Sequence, residues 1–348
     1  MSFDDGLIDL RSDTVTRPTP AMRAAMAAAE VGDDVFGDDP TVQRLQERAA
    51  ALTGHAAGLF VASGTMGNLV ALLTHCGRGA EVIVGDKSHI YLNEVGGMAA
   101  LGGLQAALVA NRADGTLDLE DVQAAIRSED EHHPRTRLVC LENTQNMCGG
   151  VPLTPDYTRR AADLAHRNGL KLHLDGARLF NAAVAQGVPA SALAGPADSV
   201  MFCLSKGLSA PVGSLLCGPA DFIAEARRYR KMVGGGLRQV GVLAAAGLVA
   251  LESMIERLED DHANARRLAD GLRDVPGLDL EPGTPHTNMV YFRLTPAARR
   301  SPASLIEALK PRGILLDADG RRFRLVTHAW ITSGDVDKTV AALRAALN

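Results

Sequence analysis

Lys171-Leu172-His173-Leu174-Asp175-Gly176-Ala177-Arg178 and Val200-Met201-Phe202-Cys203-Leu204-Ser205-Lys206-Gly207 are the two stretches whose reading decides the fold. Each is an apolar, strand-like run that ends on a charge, an aspartate in the first and a lysine in the second. The separation, 206 − 175 = 31 residues, is about the length of one strand, one crossover helix and the next strand, so the two side chains should meet on one edge of a parallel sheet. A lysine at the rim of a buried sheet loses its proton easily and attacks a carbonyl, which is how enzymes hold pyridoxal phosphate as a Schiff base. Such a cofactor also needs a carboxylate beside its pyridine nitrogen, and a carboxylate at the tip of an apolar strand needs a cation or a donor.

The pattern continues on both sides. A helix is expected at 41–53, a strand at Gly58-Leu59-Phe60-Val61-Ala62, a helix starting within Ser63-Gly64-Thr65-Met66-Gly67-Asn68, and a strand at Glu81-Val82-Ile83-Val84. An apolar run around 104–109, a helix at 118–127, the strand Arg137–Leu141 and a helix at 155–167 opened by Thr154-Pro155 follow. Strands that are nearly all apolar and alternate with helices predict a parallel sheet covered on both faces. Residues 1–20, polar and broken by prolines, read as an extended arm. Between 239 and 274 a long helical pattern turns from alanine-rich to charged near Glu256. A domain boundary is placed there, giving a large domain at 21–255 and a small α+β domain at 256–348 with strands at 289–294 and 322–327, a helix at 303–311 and a terminal helix from 335.

Apolar residues make up 46% of the 348 and charged residues 22%, an ordinary globular balance. With a net charge of −5 and scattered lysines and arginines, no nucleic-acid or membrane partner is expected. The five cysteines, 76, 140, 148, 203 and 217, read as reduced core residues, and the acidic Met1–Asp5 start carries no apolar signal segment, so a cytoplasmic protein is expected. The histidines lack the repeating spacing of metal ligands, so no metal is expected, and neither a dinucleotide fingerprint nor a Walker loop is present.

Ser63-Gly64-Thr65, between a strand and a helix, offers free amides and a hydroxyl to a phosphate, or is a simple glycine turn with a threonine cap. Arg178 either serves a cofactor hydroxyl or a substrate carboxylate, or forms an ion pair with Asp175. His89 follows a strand and either stacks on a planar cofactor or is merely packed. Gly234-Gly235-Gly236 implies a close backbone approach or a flexible loop, flanked by Arg230, Lys231 and Arg238 as phosphate charges.

These motifs resemble, nearly end to end, the L-threonine aldolases of the aspartate-aminotransferase-like (fold type I) pyridoxal phosphate enzymes. The resemblance covers Leu10–Thr16, Ser63–Asn68, His89 with Glu94–Gly97, Leu141–Thr144, Leu174–Arg178, Ser205–Leu208, Arg230–Met232 with the glycines and Arg238, and Arg324–His328. It implies a mostly parallel seven-stranded sheet, aldol cleavage of threonine or allo-threonine to glycine and an aldehyde, and a homo-oligomer, a dimer of dimers, with shared sites. It implies Lys206 as the Schiff-base lysine, Asp175 on the pyridine nitrogen and His89 on the ring. Gly64, Thr65 and Lys231 would hold the phosphate with Arg238 of a second subunit, and Ser12, Arg178 and Arg324 the substrate carboxylate. A second active-site histidine falls at His132 or His133, with His133 carried forward. Family members often read Asn-Thr-His-Asn where this chain has Asn143-Thr144-Gln145-Asn146. β-Elimination or transamination on the same scaffold is the rival reading.

Overall fold

The structure, a computed structural model, describes residues 6–347, so the acidic Met1–Asp5 start lies outside the described residues. The arm opens with a two-residue strand, β1 (Ile8–Asp9), followed by the strands of the main sheet: β2 (Ala57–Val61), β3 (Glu81–Gly85), β4 (Gln105–Val109), β5 (Thr136–Glu142), β6 (Lys171–Asp175), β7 (Ser199–Cys203) and β8 (Ser214–Gly218). They form a seven-stranded sheet in the order β2-β8-β7-β6-β5-β3-β4. β8 runs antiparallel to both its neighbours, and the other pairs are parallel. The predicted elements lie within a few residues of these. β8 was not anticipated, because five residues behind a proline-glycine turn carry little periodicity of their own.

Between β6 and β7 the crossover holds two short helices, Leu179–Gln186 and Ala190–Ala194, rather than the single helix expected. Gly187 at φ +63° ends the first, a left-handed position that glycine adopts without strain. The helix Pro155–Arg167 begins as read, with the Thr154 hydroxyl accepting from the Tyr157 amide at 3.2 Å. The long helical pattern is two helices, Gly241–Ser253 and Leu258–Leu272, broken where the composition changes. The first packs on the helices Pro20–Ala27 and Pro40–Thr53 beside the main sheet, the second on the terminal helix Ser333–Leu347.

β9 (Leu278–Leu280), β10 (Met289–Leu294), β11 (Ile314–Leu315), β12 (Ala318–Asp319) and β13 (Arg322–Val326) complete the chain; β12-β13-β10-β9 form an antiparallel sheet and β11 pairs with β1. Ile8 and Leu10 of the arm are thereby buried in the C-terminal core with Leu268, Phe292 and Phe323. Among the described residues, no helix is long and apolar enough to cross a membrane.

Candidate active site

All the parallel strands, together with β2, deliver their C-terminal ends to one edge, where loops collect the polar side chains. Asp175 closes β6 and is buried; its Oδ2 accepts from the Asn68 amide at 2.9 Å and its Oδ1 from the Ala177 N–H at 3.1 Å. Glu142 closes β5 and is the register partner of Asp175. Its two oxygens accept the backbone N–H groups of His89 (2.7 Å) and Asn146 (2.9 Å). Burial, and Asp175 next to it, push its carboxyl up to about 7.

His89 starts a short helix after β3, its Nδ1 lying 2.9 Å from Glu94 Oε1, which also accepts from Asn68 at 2.9 Å. The hydrogen bond to Glu94 raises the imidazole's proton affinity, and burial raises that of Glu94. His89, Glu94 and Asp175 bring ligand-type atoms within 4.8 Å of one another, a cluster that sequence spacing did not disclose. Asn68 N–H groups and the imidazole already occupy the facing oxygens.

Lys206 lies in the loop beyond β7, half-buried, and its carbonyl accepts from the Thr16 hydroxyl at 2.9 Å. The arm therefore rests on the lysine loop. Ser12 caps the turn that follows it, its hydroxyl accepting from the Thr14 N–H at 3.3 Å. Arg178 does not pair with Asp175, the ion-pair partner considered from the sequence. Its Nε and Nη2 donate to Asp13 at 2.8 and 2.7 Å in a bidentate, buried pair, leaving Nη1 outside it. Burial opposes the charge on Asp13, but Arg178 outweighs it and holds the carboxyl well below the usual range. Arg324 donates to Asn146 Oδ1 at 2.8 Å, and the Tyr291 hydroxyl fixes the Asn146 carbonyl at 2.6 Å.

The helix Gly64–His75 starts at the same edge. Ser63 caps the Met66 N–H, which leaves the Gly64 and Thr65 amides without intrahelical partners. A side chain at Gly64 would put its Cβ 2.9 Å from Cys203 Sγ, so glycine lets the helix end approach β7. Gly235 approaches the same turn, where a Cβ would lie 2.6 Å from Met66 Sδ; this is the close approach expected of the triple glycine. Arg230 is not available as a phosphate charge, because it is buried and bonded to Asp34 Oδ2 (2.6 Å) and the Phe60 carbonyl (2.7 Å). Lys231 and Arg238 are exposed, the latter paired with Asp33 at 3.0 Å.

His132 and His133 are not brought to this edge within the chain. They precede β5, whereas Glu142 ends it, about 20 Å further along by the strand rise. They contact Asp130 and Ser128 instead. Gln145 is fully buried and committed to backbone, donating to the Lys87 carbonyl at 2.9 Å and accepting from the Cys148 N–H at 2.8 Å. Asp13, Asn68, Glu94 and Glu142 lie within the family motifs but carry no role that sequence reading assigns. Asp13 meets Arg178 across 165 residues, Asn68 meets Asp175 across 107 and Glu142 meets His89 across 53, while Glu94 is only five residues from His89 and could have been found as its local partner.

The sheet with its one reversed strand, and the lysine and aspartate it sets at a common edge, define an α/β enzyme of the aspartate-aminotransferase-like, fold type I class. The family model of beta-eliminating lyases matches residues 9–295. Low-specificity L-threonine aldolase 1 of Arabidopsis thaliana is 48% identical over 344 residues, covering 98% of this chain and 96% of that protein. The low specificity L-threonine aldolase of Escherichia coli K12 is 48% identical over 341 residues, covering 98% and 99%. A solved structure of Leishmania major threonine aldolase superposes with a TM-score of 0.82 at 21% identity, over 98% of this chain and 99% of that one. This chain belongs to the beta-eliminating lyase family and, within it, to the low-specificity L-threonine aldolases.

Proposed function

We propose that this chain catalyses the reversible aldol cleavage of L-threonine, L-allo-threonine and related β-hydroxy-α-amino acids to glycine and an aldehyde, with pyridoxal 5'-phosphate as cofactor. The observation that carries the reading is the buried cluster of Asp175, Glu94 and Glu142, which has no lysine or arginine partner among the described residues and opens on the edge that holds Lys206. A protonated pyridine is a cation of the right shape for Asp175.

The residues present fit the cofactor. The free amides of Gly64 and Thr65 at a helix N-terminus suit its phosphate, with the exposed Lys231 and Arg238 of a second copy as the charges that would complete it. Lys206 would hold its aldehyde carbon, Asp175 its ring nitrogen and His89 its face. When bound, pyridoxal phosphate supplies a conjugated ring that accepts the electron pair of the broken Cα–Cβ bond. Ser12, Nη1 of Arg178 and Arg324 would clamp the substrate carboxylate, and by fixing that group they fix which bond at Cα is aligned for cleavage. Glu94 holds Nδ1 of His89, which leaves Nε2 to take the β-hydroxyl proton, directly or through a water.

Assembly from more than one copy is supported by exposed apolar side chains around the Asp33–Arg238 contact and the His89 loop: Phe36 is 78% exposed, Met232 73% and Val95 97%. His133 would act only if presented by another copy. A cytoplasmic homotetramer is the corresponding assembly.

Purified protein should carry the visible absorbance of a pyridoxal Schiff base and release acetaldehyde and glycine from both threonine diastereomers. Lys206→Ala should lose the band and on the order of 10⁴-fold in turnover. Retention of both by the variant would overturn the assignment. Ammonia and a keto acid as products would point to β-elimination instead.

A further inference from the structure

A file of polar side chains runs from the site into the core between the main sheet and the helix Gly64–His75. His173 lies two residues before Asp175 on β6, so both present their side chains to the same face of the sheet. His173 is fully buried; its Nε2 is 3.1 Å from Asn68 Oδ1 and its Nδ1 is 2.8 Å from the hydroxyl of Ser199, its register partner on β7. The Ser199 hydroxyl is in turn 2.8 Å from Nε2 of His75, whose ring stacks on Phe222 at 4.4 Å. None of these contacts is used by the chemistry above.

Every hydrogen along the file has one placement. The Asn68 group between Asp175 and Glu94 faces acceptors on both sides, so it is the NH₂, and Oδ1 faces His173. Nε2 of His173 must then carry a proton. Burial keeps this imidazole neutral, with its pKa pushed down to about 3, so Nδ1 is bare and accepts from Ser199. Ser199 therefore accepts from a protonated Nε2 of His75, which burial also holds neutral, at about 4.

We propose that His173 is a positioning residue of the active site: its Nε2–H fixes the direction of the Asn68 amide, and that amide holds the Asp175 and Glu94 carboxylates in place. The proposal rests on the reading of Asp175 as the partner of the cofactor's ring nitrogen. Without the donor at His173, the Asn68 oxygen is left buried with no hydrogen-bond partner, and the amide is held from the carboxylate side alone. An Asn68 amide drawn away to satisfy its oxygen elsewhere would leave Asp175 with the Ala177 N–H alone and Glu94, which orients His89, without its second donor.

The first measurement is ¹⁵N NMR of histidine-labelled, full-length apoenzyme. His173 should be the Nε2–H tautomer and remain neutral across the accessible pH range; an Nδ1–H tautomer or a charged ring would overturn the proposal. The second is titration of the apoenzymes with pyridoxal phosphate, followed by absorbance. His173→Leu should bind it about tenfold more weakly, and His173→Gln, which restores an N–H at the Nε2 position, should recover to within about threefold of wild type. Equal losses in both variants would reduce His173 to a packing residue and sink the proposal. Ser199→Ala, which removes the donor to Nδ1, keeps the test open should the leucine variant not fold; it should release the second tautomer and weaken binding, and no change in either would count against the proposal. Asp175→Asn is the reference. If it binds the cofactor like wild type, the reading of Asp175 fails; if it binds poorly while His173→Leu binds normally, only the positioning claim fails.

Discussion

Two buried acidic regions lie at the same sheet edge and are built on opposite principles. Asp13 is matched by the Arg178 guanidinium through two hydrogen bonds, and both partners are buried. Asp175, Glu94 and Glu142 are equally buried but receive only amide N–H groups and one imidazole. The matched pair behaves as scaffold, while the unmatched group is left open to an incoming cation, the role the proposed function gives it. A buried charge with no partner is costly to a fold, and its persistence here marks the site more sharply than the lysine does.

The sharpest way to break the comparison is Asp13→Ala, which leaves Arg178 buried without a counter-ion and should cost about 3–5 kcal/mol in urea unfolding. Because Arg178 holds the Asp13 carboxyl below its ordinary range, the pair's contribution is present above that range and lost as pH falls; a variant as stable as wild type at pH 7 would erase the distinction between the regions. Gln145→Ala should cost about 1–3 kcal/mol, since it strands the Lys87 carbonyl and the Cys148 N–H, and it should leave the pH dependence of turnover in place. A change in that dependence would show Gln145 handling protons.

Asp261 lies between the two principles, with one oxygen paired to Arg257 and the other buried without a hydrogen-bond partner. Burial raises its carboxyl from 3.8 to about 7 despite Arg257 beside it. A raised acid favours the fold in its protonated form, so its contribution is complete below about pH 4 and lost as pH rises through about 7. Thermal midpoints of Asp261→Asn should accordingly fall less between pH 5 and 8 than those of wild type; parallel curves would refute this. The smallest effect on stability is expected from Glu94→Gln, under about 1 kcal/mol, because the amide oxygen still accepts from Asn68 and His89. The His89 titration followed by NMR should nonetheless move down, since the bond to Glu94 is the main reason it is raised. An unmoved titration would deny Glu94 that role.

Much of this site was legible from periodicity and strand ends. Asp175 and Lys206 fell at the tips of apolar runs, and the parallel arrangement of β6 and β7 followed from their spacing. Ser63–Thr65 was readable as a strand-to-helix junction because capping is local. The partners were not legible. Arg178 finds Asp13 across 165 residues and Arg324 finds Asn146 across 178, and only the closed fold decides such pairings. For the same reason Arg230 could be seen as a charge near a glycine loop but not as one already spent on Asp34. His132 and His133 mark the limit of motif position, since the loop that carries them precedes β5 while the edge that gathers Glu142 and Asp175 lies at that strand's other end.

The arm is knitted at one end into the C-terminal core by Ile8 and Leu10, and a few residues later it grips the lysine loop through Thr16 and the Arg178 helix through Asp13. It works as a strap buckled at both ends, so the C-terminal core cannot swing away without dragging Ser12 and tugging the loop that carries Lys206. Trimming or tagging this stretch would thus disturb the Lys206 loop from a distance, a practical reason to place affinity handles at the far terminus.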